Sequence, residues 1–504
     1  SPMSRGLGDV YKRQIYLSEN QLSANAKNTA ERDILLTDAI LQYASHLFWG
    51  RLKADELPFY WDIQREEKNM ALALQTALEN ENIVDFLEKQ KPQHSYYQDL
   101  KQALAVFRAK ESMEDKDNMV SAGETLRLGM RDDRVKQLRK KLKIKEPYNN
   151  DYYRIFGVPT DSAFVTVDTL FSIQTASTAT DFSTLDELVS LIDAMINEVE
   201  PDTLDSEDLV YHKNLCFNPM LFDTLVQRAV IDFQKRNGLE VDGIVGKHTL
   251  HTINTPYLDR IRQLEINLER LRWLPNDLGE NYLVANIPTF MLYIFEQKDS
   301  LVLEKRTVIG KKSTQTPIFS ELVRYLDLNP YWTVPYSIAT AEILPRLKRN
   351  AGYLSSKNME LFSGGKKINP YNVDWAKVSR SNFRYTVRQK PSKTNALGEV
   401  KFLFPNAYNV YVHDTPSKSL FANYERAYSH GCVRLEKPME LAEYLLRENP
   451  KWTAEKLDKQ LKKRKNKRII LDEPMPIYII YLTAVSDANG CLLYTSDAAD
   501  EWLR

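Results

Sequence analysis

Residues 404–434 read FPNAYNVYVHDTPSKSLFANYERAYSHGCVR, and the order of residue types in this stretch decides both fold and chemistry. Val410 and Val412 alternate with Tyr411 and His413, the period of a strand with one buried face. Asp414-Thr415-Pro416 ends it. Fifteen residues separate His413 from Ser429, where the run Ser429-His430-Gly431-Cys432-Val433-Arg434 begins. A free thiol titrates near ~8.5 and is a poor nucleophile at neutral pH, whereas a nearby imidazole can hold the thiolate and later carry a proton. Gly431 lets backbone approach a reacting carbonyl, and N–H groups at Gly431 and Cys432 can form an oxyanion hole. Arg434 adds positive potential that favours a thiolate or an anionic substrate. His413 and His430, two of only seven histidines, fall within twenty residues of this cysteine. On residue types alone Cys432 admits a structural reading beside the catalytic one.

Working outward, strand-like alternation begins near Asn281 in YLVANIPTFMLYIFEQ and LVLEKRTVIG, and continues in KFLFPNAYNVYVHDT. A polar helix-and-loop stretch at about 338–393 interrupts it, a candidate lid or binding surface. After Cys432, PMELAEYLLREN reads as a helix and RIILDEPMPIYIIYLTA as a closing strand pair. The region from about 24 to 117 is helical by spacing, and its His46 and His94 read as structural.

Between these regions lies a smaller unit in two pieces. In LRLGMRDDRVKQLRKKL, Val135, Leu138 and Leu142 share a helical face. In the second piece Leu225, Ala229, Val230 and Phe233 form a stripe, Asn237-Gly238 stops the helix, and Asp242-Gly243 marks a tight turn. The insert between them, about 148–208, holds about a dozen acidic residues after Arg154 and reads as a solvated excursion. The basic run KLDKQLKKRKNKR at 456–468 likewise reads as a solvated surface.

A chain of 504 residues divides into several domains. Its 68 basic and 68 acidic residues balance, which removes any whole-chain argument for nucleic-acid binding. The longest apolar run, residues 477–482, fits a buried strand and not a membrane span. Three cysteines, Cys216, Cys432 and Cys491, make neither a disulfide framework nor a zinc site, and no metal or cofactor is implied. Cys216 reads as a small buried apolar residue. The ends, residues 1–14 and 491–504, resemble translated adapter sequence and are set aside from fold reasoning, so a native export signal can have been lost with the start and a last segment with the end.

His413 followed after fifteen residues by SHGCVR resembles the active-site signature of the YkuD-type L,D-transpeptidase domain. The stretches TQTPIFS (314–320), LNPYWTVP (328–335), NALGEVKF (395–402), FPNAYNVYVHDTP (404–416) and NLERLRWLP (267–275) match it as well. The split unit resembles the peptidoglycan-binding-like domain, and the whole arrangement the larger, YcbB-like members. The resemblance implies an α+β multidomain fold. Its parts are a helical scaffold at 15–120, a peptidoglycan-binding-like domain at 121–256, and a mainly-β catalytic domain at 257–486 with a capping insert.

The implied activity is 3→3 cross-linking of peptidoglycan. Cys432 attacks the third residue of a tetrapeptide stem, D-alanine leaves, and a second stem's amine resolves the thioester. The implied partners are donor and acceptor stem peptides and carbapenem-type inhibitors, the implied place a periplasm or cell envelope. His413 carries over as general base and acid. Ser429 and His430 shape and hydrogen-bond the site, with a proton-carrying catalytic role also open to His430; Tyr411 is a further oxyanion candidate, and Trp332, Asn406 and Arg434 line the substrate cleft. Asp414 is not expected to complete a triad, because adjacent strand residues face opposite ways. An L,D-carboxypeptidase or an enzyme anchoring proteins to the wall remains open, because cleft shape selects the acceptor. A non-catalytic wall binder would not need Cys432, and a papain-like protease carries its cysteine before its histidine.

Overall fold

The computed structural model describes residues 26–56, 61–111, 119–144, 218–486 and 492–495; the acidic insert, Cys216 and Cys491 lie outside them. The chain divides into two units, residues 1–113 with 256–504, and residues 114–255.

In the larger unit, α1 (Ala26–Trp49), α2 (Met70–Glu79) and α3 (Ile83–Gln90) bury Ala44, Phe48, Met70, Leu74, Ala77 and Phe86 against one another. Three- and four-residue apolar spacing produces these stripes. The helical region also contains a short strand the periodicity did not foretell, β1 (Trp61–Asp62), which pairs in parallel with Ile318 and Phe319. Two residues are too few to display a period of two. α4 (Ser95–Glu111) turns Tyr97, Leu100 and Leu104 inward. They join the core shared with the helix that leads into the sheet.

The smaller unit contains α5 (Arg134–Lys141), α6 (Thr224–Arg236) and α7 (Lys247–Ile253) around Val120, Leu126, Val135, Leu138, Phe222, Val226 and Val230. Val135 and Leu138 occupy the expected face. On α6 the buried line is Val226, Val230 and Gln234, with Leu225, Ala229 and Phe233 half-buried beside it. The stripe is rotated because Gln234 is spent on the following turn. Its amide donates to Asp242 Oδ1 at 2.7 Å and Ile244 O at 3.0 Å, and its Oε1 accepts from Gly243 N at 2.9 Å. A polar side chain with every partner supplied can take a core position.

α8 (Tyr257–Arg272) opens the catalytic part of the larger unit. β2 (Tyr282–Asn286), β3 (Met291–Glu296) and β4 (Ser300–Gly310) form an antiparallel meander followed by β5 (Ile318–Leu328). An inserted module comes next, with β6 (Trp332–Thr333), β7 (Met359–Ser363), β8 (Lys366–Ile368) and β9 (Tyr385–Gln389) in the order β6–β9–β7–β8. It has its own core of Val334, Ile343, Leu347, Leu354, Leu361, Trp375 and Val387. The module opens at Trp332, earlier than the expected 338, because Trp332 and Thr333 pair with Gln389 and Arg388.

The sheet resumes with β10 (Val400–Leu403), β11 (Val412–His413), β12 (Ala427–Ser429) and β13 (Val433–Leu435). After two helices it ends with β14 (Lys467–Ile480). The pairing order β5–β10–β11–β13–β4–β3–β2–β14 returns from β14 to β5, so these strands close a barrel without free edges. A register shift between Ile470 and Met475 bends β14 enough to reach both neighbours. Inside lie Leu292, Ile294, Val323, Leu326, Val400, Phe402, Val412 and Val433, all essentially without exposure. Each contributes roughly 1.5–3 kcal/mol of burial.

β15 (Ala484–Ser486) pairs with β16 (Leu492–Tyr494). The second of these falls in the stretch set aside as foreign, yet Tyr494 is buried against Phe107. A Leu-Leu-Tyr run supplies what an open strand edge can pair with.

Asn267 on α8 ties the helix to the chain after β14. Its Oδ1 accepts from Thr483 N at 2.8 Å and its amide donates to Thr483 Oγ1 at 2.9 Å, all buried. Asn267→Leu removes both hydrogen bonds to Thr483, an expected loss of roughly 1–3 kcal/mol read as a lowered urea midpoint.

Candidate active site

Barrel closure orients the site. Val400, Phe402, Val412, Val433 and Leu435 point inward. Alternation therefore sends Lys401, Tyr411, His413, Cys432 and Arg434 to the outer face. β11 pairs with β13 in parallel, His413 opposite Arg434, and with β10 antiparallel, His413 opposite Lys401. Cys432 precedes β13 and Tyr411 precedes β11, so thiol and imidazole stand on neighbouring strands of one face.

The turn before Cys432 is held from two sides. Ser429 Oγ donates to Cys432 O at 2.6 Å and accepts from Gly431 N at 3.1 Å. Gly431 sits at φ +111°, a conformation open chiefly to glycine. Thr314 Oγ1 donates to Ser429 O at 3.1 Å, and Thr316 Oγ1 donates to Gly431 O at 2.8 Å while accepting from Gly310 N at 2.9 Å. Gly310 permits this clamp, because a Cβ there would lie 2.2 Å from Thr314 O. The Gly431 N–H is thus occupied by Ser429, while the Tyr411 backbone N–H and hydroxyl both donate to the thiol.

His413 is buried and its Nδ1 hydrogen-bonds the carbonyl of Asp414, which fixes the tautomer and leaves Nε2 as the acceptor. The Asp414 carboxylate faces elsewhere. It accepts from Glu399 N at 2.8 Å and pairs with Lys418. Burial, then the Arg434 charge, pushes the imidazole down to about 3, so it is neutral at working pH. Burial pushes the Cys432 thiol up, opposed by hydrogen bonds from the Tyr411 backbone and hydroxyl and by the Lys401 and Arg434 charges. The resting pair is therefore neutral thiol and neutral imidazole.

Tyr411 links the site to the inserted module. Burial raises its phenol, with the neighbouring Cys432 charge adding, and the opposing contact is a hydrogen bond with Trp332. Trp332 also packs on the module's own core. A second tie runs from His430 Nε2 to Glu342 Oε1 at 2.8 Å, so His430 addresses the module. Asn406 has no capacity left for a ligand. Its amide donates to Phe404 O at 2.6 Å and Val410 O at 2.7 Å, and its Oδ1 accepts from Tyr408 N and Val410 N. That turn presents the Asn409 carbonyl to the thiol, 3.9 Å from Sγ.

Sequence reasoning missed Lys401, Thr316 and Glu342. Lys401 alternates with buried Val400 and Phe402, a signal that it faces outward, but only the ladder places it beside His413.

Three family models match parts of the chain. Residues 280–465 match the YkuD model, described as the L,D-transpeptidase catalytic domain. Residues 8–104 match a scaffold domain, and residues 218–253 match a "Putative peptidoglycan binding domain". A Haemophilus influenzae protein described as "Putative L,D-transpeptidase" is 33% identical over 237 residues, 47% of each chain. The chain thus spans about half the length of that curated relative. An L,D-transpeptidase from Mycobacterium smegmatis is 14% identical over 40% of this chain and 58% of its own, at a TM-score of 0.21. One from Stackebrandtia nassauensis is 12% identical over 53% and 86%, at 0.20. Structural likenesses this slight carry no argument.

A raised thiol predicts that alkylation of Cys432 by iodoacetamide is slower than that of free cysteine at pH 7 and keeps rising beyond pH ~9. Mass spectrometry of the Cys432 peptide checks it, and a plateau below pH 8 would contradict the burial argument. Gly310→Ala displaces the Thr314–Thr316 clamp, with an expected loss of roughly 1–3 kcal/mol in stability and a changed alkylation rate.

Proposed function

We propose, for a chain that carries an L,D-transpeptidase catalytic domain, that it joins peptidoglycan stem peptides 3→3 through a thioester on Cys432. The observation that supports this best is the outer barrel face on which Cys432, Tyr411, His413 and Arg434 stand together beneath the inserted module.

His413 Nε2 accepts the thiol proton as Sγ attacks the carbonyl of the third stem residue, a diamino acid. The C–S bond forms, and negative charge collects on the carbonyl oxygen. The Cys432 N–H and the Tyr411 hydroxyl are the donors for that oxygen. As the intermediate collapses, the C–N bond to D-alanine breaks and His413 returns its proton to the leaving amine. The imidazolium is a strong acid because the surroundings disfavour it, which drives this transfer. The side-chain amine of a second stem then attacks the thioester, giving up a proton to His413 and releasing the thiol. Ser429 holds the turn, Trp332 holds the Tyr411 hydroxyl, and His430 with Glu342 ties the module down. The smaller unit keeps the enzyme on its polymer in the cell envelope, a reading that the peptidoglycan-binding match supports. A carbapenem would acylate the same thiol by opening its lactam ring.

The protein is incubated with a carbapenem, and separately with disaccharide tetrapeptide, and followed by mass spectrometry. The expected results are a covalent adduct on Cys432, release of D-alanine and formation of dimers, all lost in Cys432→Ser by a factor of 10³ or more. D-alanine release without dimers would make it an L,D-carboxypeptidase. No adduct and no release from folded protein would overturn the reading.

A further inference from the structure

The ladder that carries His413 continues on both sides as a row of charges. Register partners across successive strands are Arg468, Asp327, Lys401, His413 and Arg434. Arg468 and Asp327 answer each other through two hydrogen bonds of 2.8 Å. Of the two cations that flank His413, Lys401 feels the Asp327 charge across the ladder without an ion pair to it, and Arg434 is likewise in no ion pair. Among the described residues neither Lys401 nor Arg434 has a carboxylate within ion-pair distance or a side-chain hydrogen bond, and Arg434 Nε is buried without a partner. Lys401 Nζ rests 3.7 Å from the centroid of the Tyr411 ring, and Tyr411 in turn hydrogen-bonds Cys432. Such a cation–π contact offsets only part of what desolvation costs an ammonium group. Burial draws both cations below their ordinary values. Two partly buried positive groups at a nucleophile, set on either side of a neutral imidazole, form an incomplete ionic arrangement.

We propose that Lys401 and Arg434 form a cradle for a carboxylate of the acyl donor, which makes Lys401 a specificity-determining residue of this site. The inference rests on the acyl-transfer reading above and adds what the donor must present. Two carboxylates of a stem peptide have the required chemistry: the terminal carboxylate of the leaving D-alanine, and the side-chain carboxylate of a diaminopimelate-type third residue. Its arrival also offsets the positive field at both His413 and Cys432, which makes the imidazole a better base and the thiol a weaker acid, so transfer of the proton waits on the attack itself.

The deciding measurement compares alkylation of Cys432 by iodoacetate and by iodoacetamide in the full chain. The thiolate fraction cancels in the ratio of the two rates, which leaves recognition of the carboxylate. Relative to free cysteine, the wild type is expected to favour iodoacetate at least tenfold. Lys401→Met lowers the ratio about tenfold, the size of one charge-assisted hydrogen bond, and Lys401→Arg retains it. A thermal melt on the same samples shows that each variant is folded. A wild-type ratio equal to that of free cysteine, or a ratio untouched by Lys401→Met in folded protein, overturns the proposal. Turnover then names the source of the carboxylate. Donors amidated at the terminal D-alanine, or at the diaminopimelate side chain, are compared with the free acid. The amidation that lowers acylation in the wild type about tenfold, but not in Lys401→Met, marks the carboxylate that occupies the cradle. Equal acylation of all three donors overturns the proposal while the transpeptidase reading stands. An iodoacetate preference with no acylation by any donor supports the cradle and overturns that reading instead.

Discussion

Parallel pairing of Val412-His413 with Val433-Arg434 is the constraint on which the site depends. Two short strands, joined through the crossover 414–432, are held in one register because Val412 and Val433 are both sealed in the barrel. A slip of one residue in either strand would send its valine to solvent and its functional side chains into the core. Hydrophobic burial thus sets the phase of the ladder, and the phase sets the chemistry. Closure reinforces it, since β14 pairs with both β2 and β5 and leaves no edge at which register could drift.

The electrostatics of the outer face follow from that geometry. His413 lies between two cations in a poorly hydrated place, so it stays neutral. The Asp414 carbonyl orients it, and a backbone oxygen can do so without the charge a carboxylate would add beside the thiol. Partly buried positive groups outside any ion pair are costly in a folded protein. The inserted module belongs to the same system. Trp332 reaches the Tyr411 hydroxyl and Glu342 meets His430, so two polar contacts tie it to the surroundings of the thiol.

Much of this was legible in the residues. The strand ending at His413, the glycine turn before Cys432 and the Asp242-Gly243 turn all announce themselves, because turns and alternation are local properties. Other features were not. The strand at Trp61 is defined only by its neighbour Ile318, and the line of burial on α6 depends on Gln234 finding partners ten residues onward. Asn406 reads as polar and available in a motif, whereas its own loop consumes every hydrogen bond it can make. Gly431 reads as an oxyanion donor, whereas Ser429 occupies its N–H.

By itself, the sequence determined the nature of the barrel strands, the helical character of the first region and of the smaller unit, and the thiol with its histidine, while the naming of the parts came from their resemblance to known domains. Periodicity and turn chemistry act over a few residues, and residue type carries its own reactivity. Only the tertiary structure decided which groups stand beside that thiol. Lys401 precedes Cys432 by thirty-one residues and Glu342 by ninety, and Trp332 comes from an inserted module with its own core. Their meeting is a matter of register across closed strands, and no local rule of propensity contains that register.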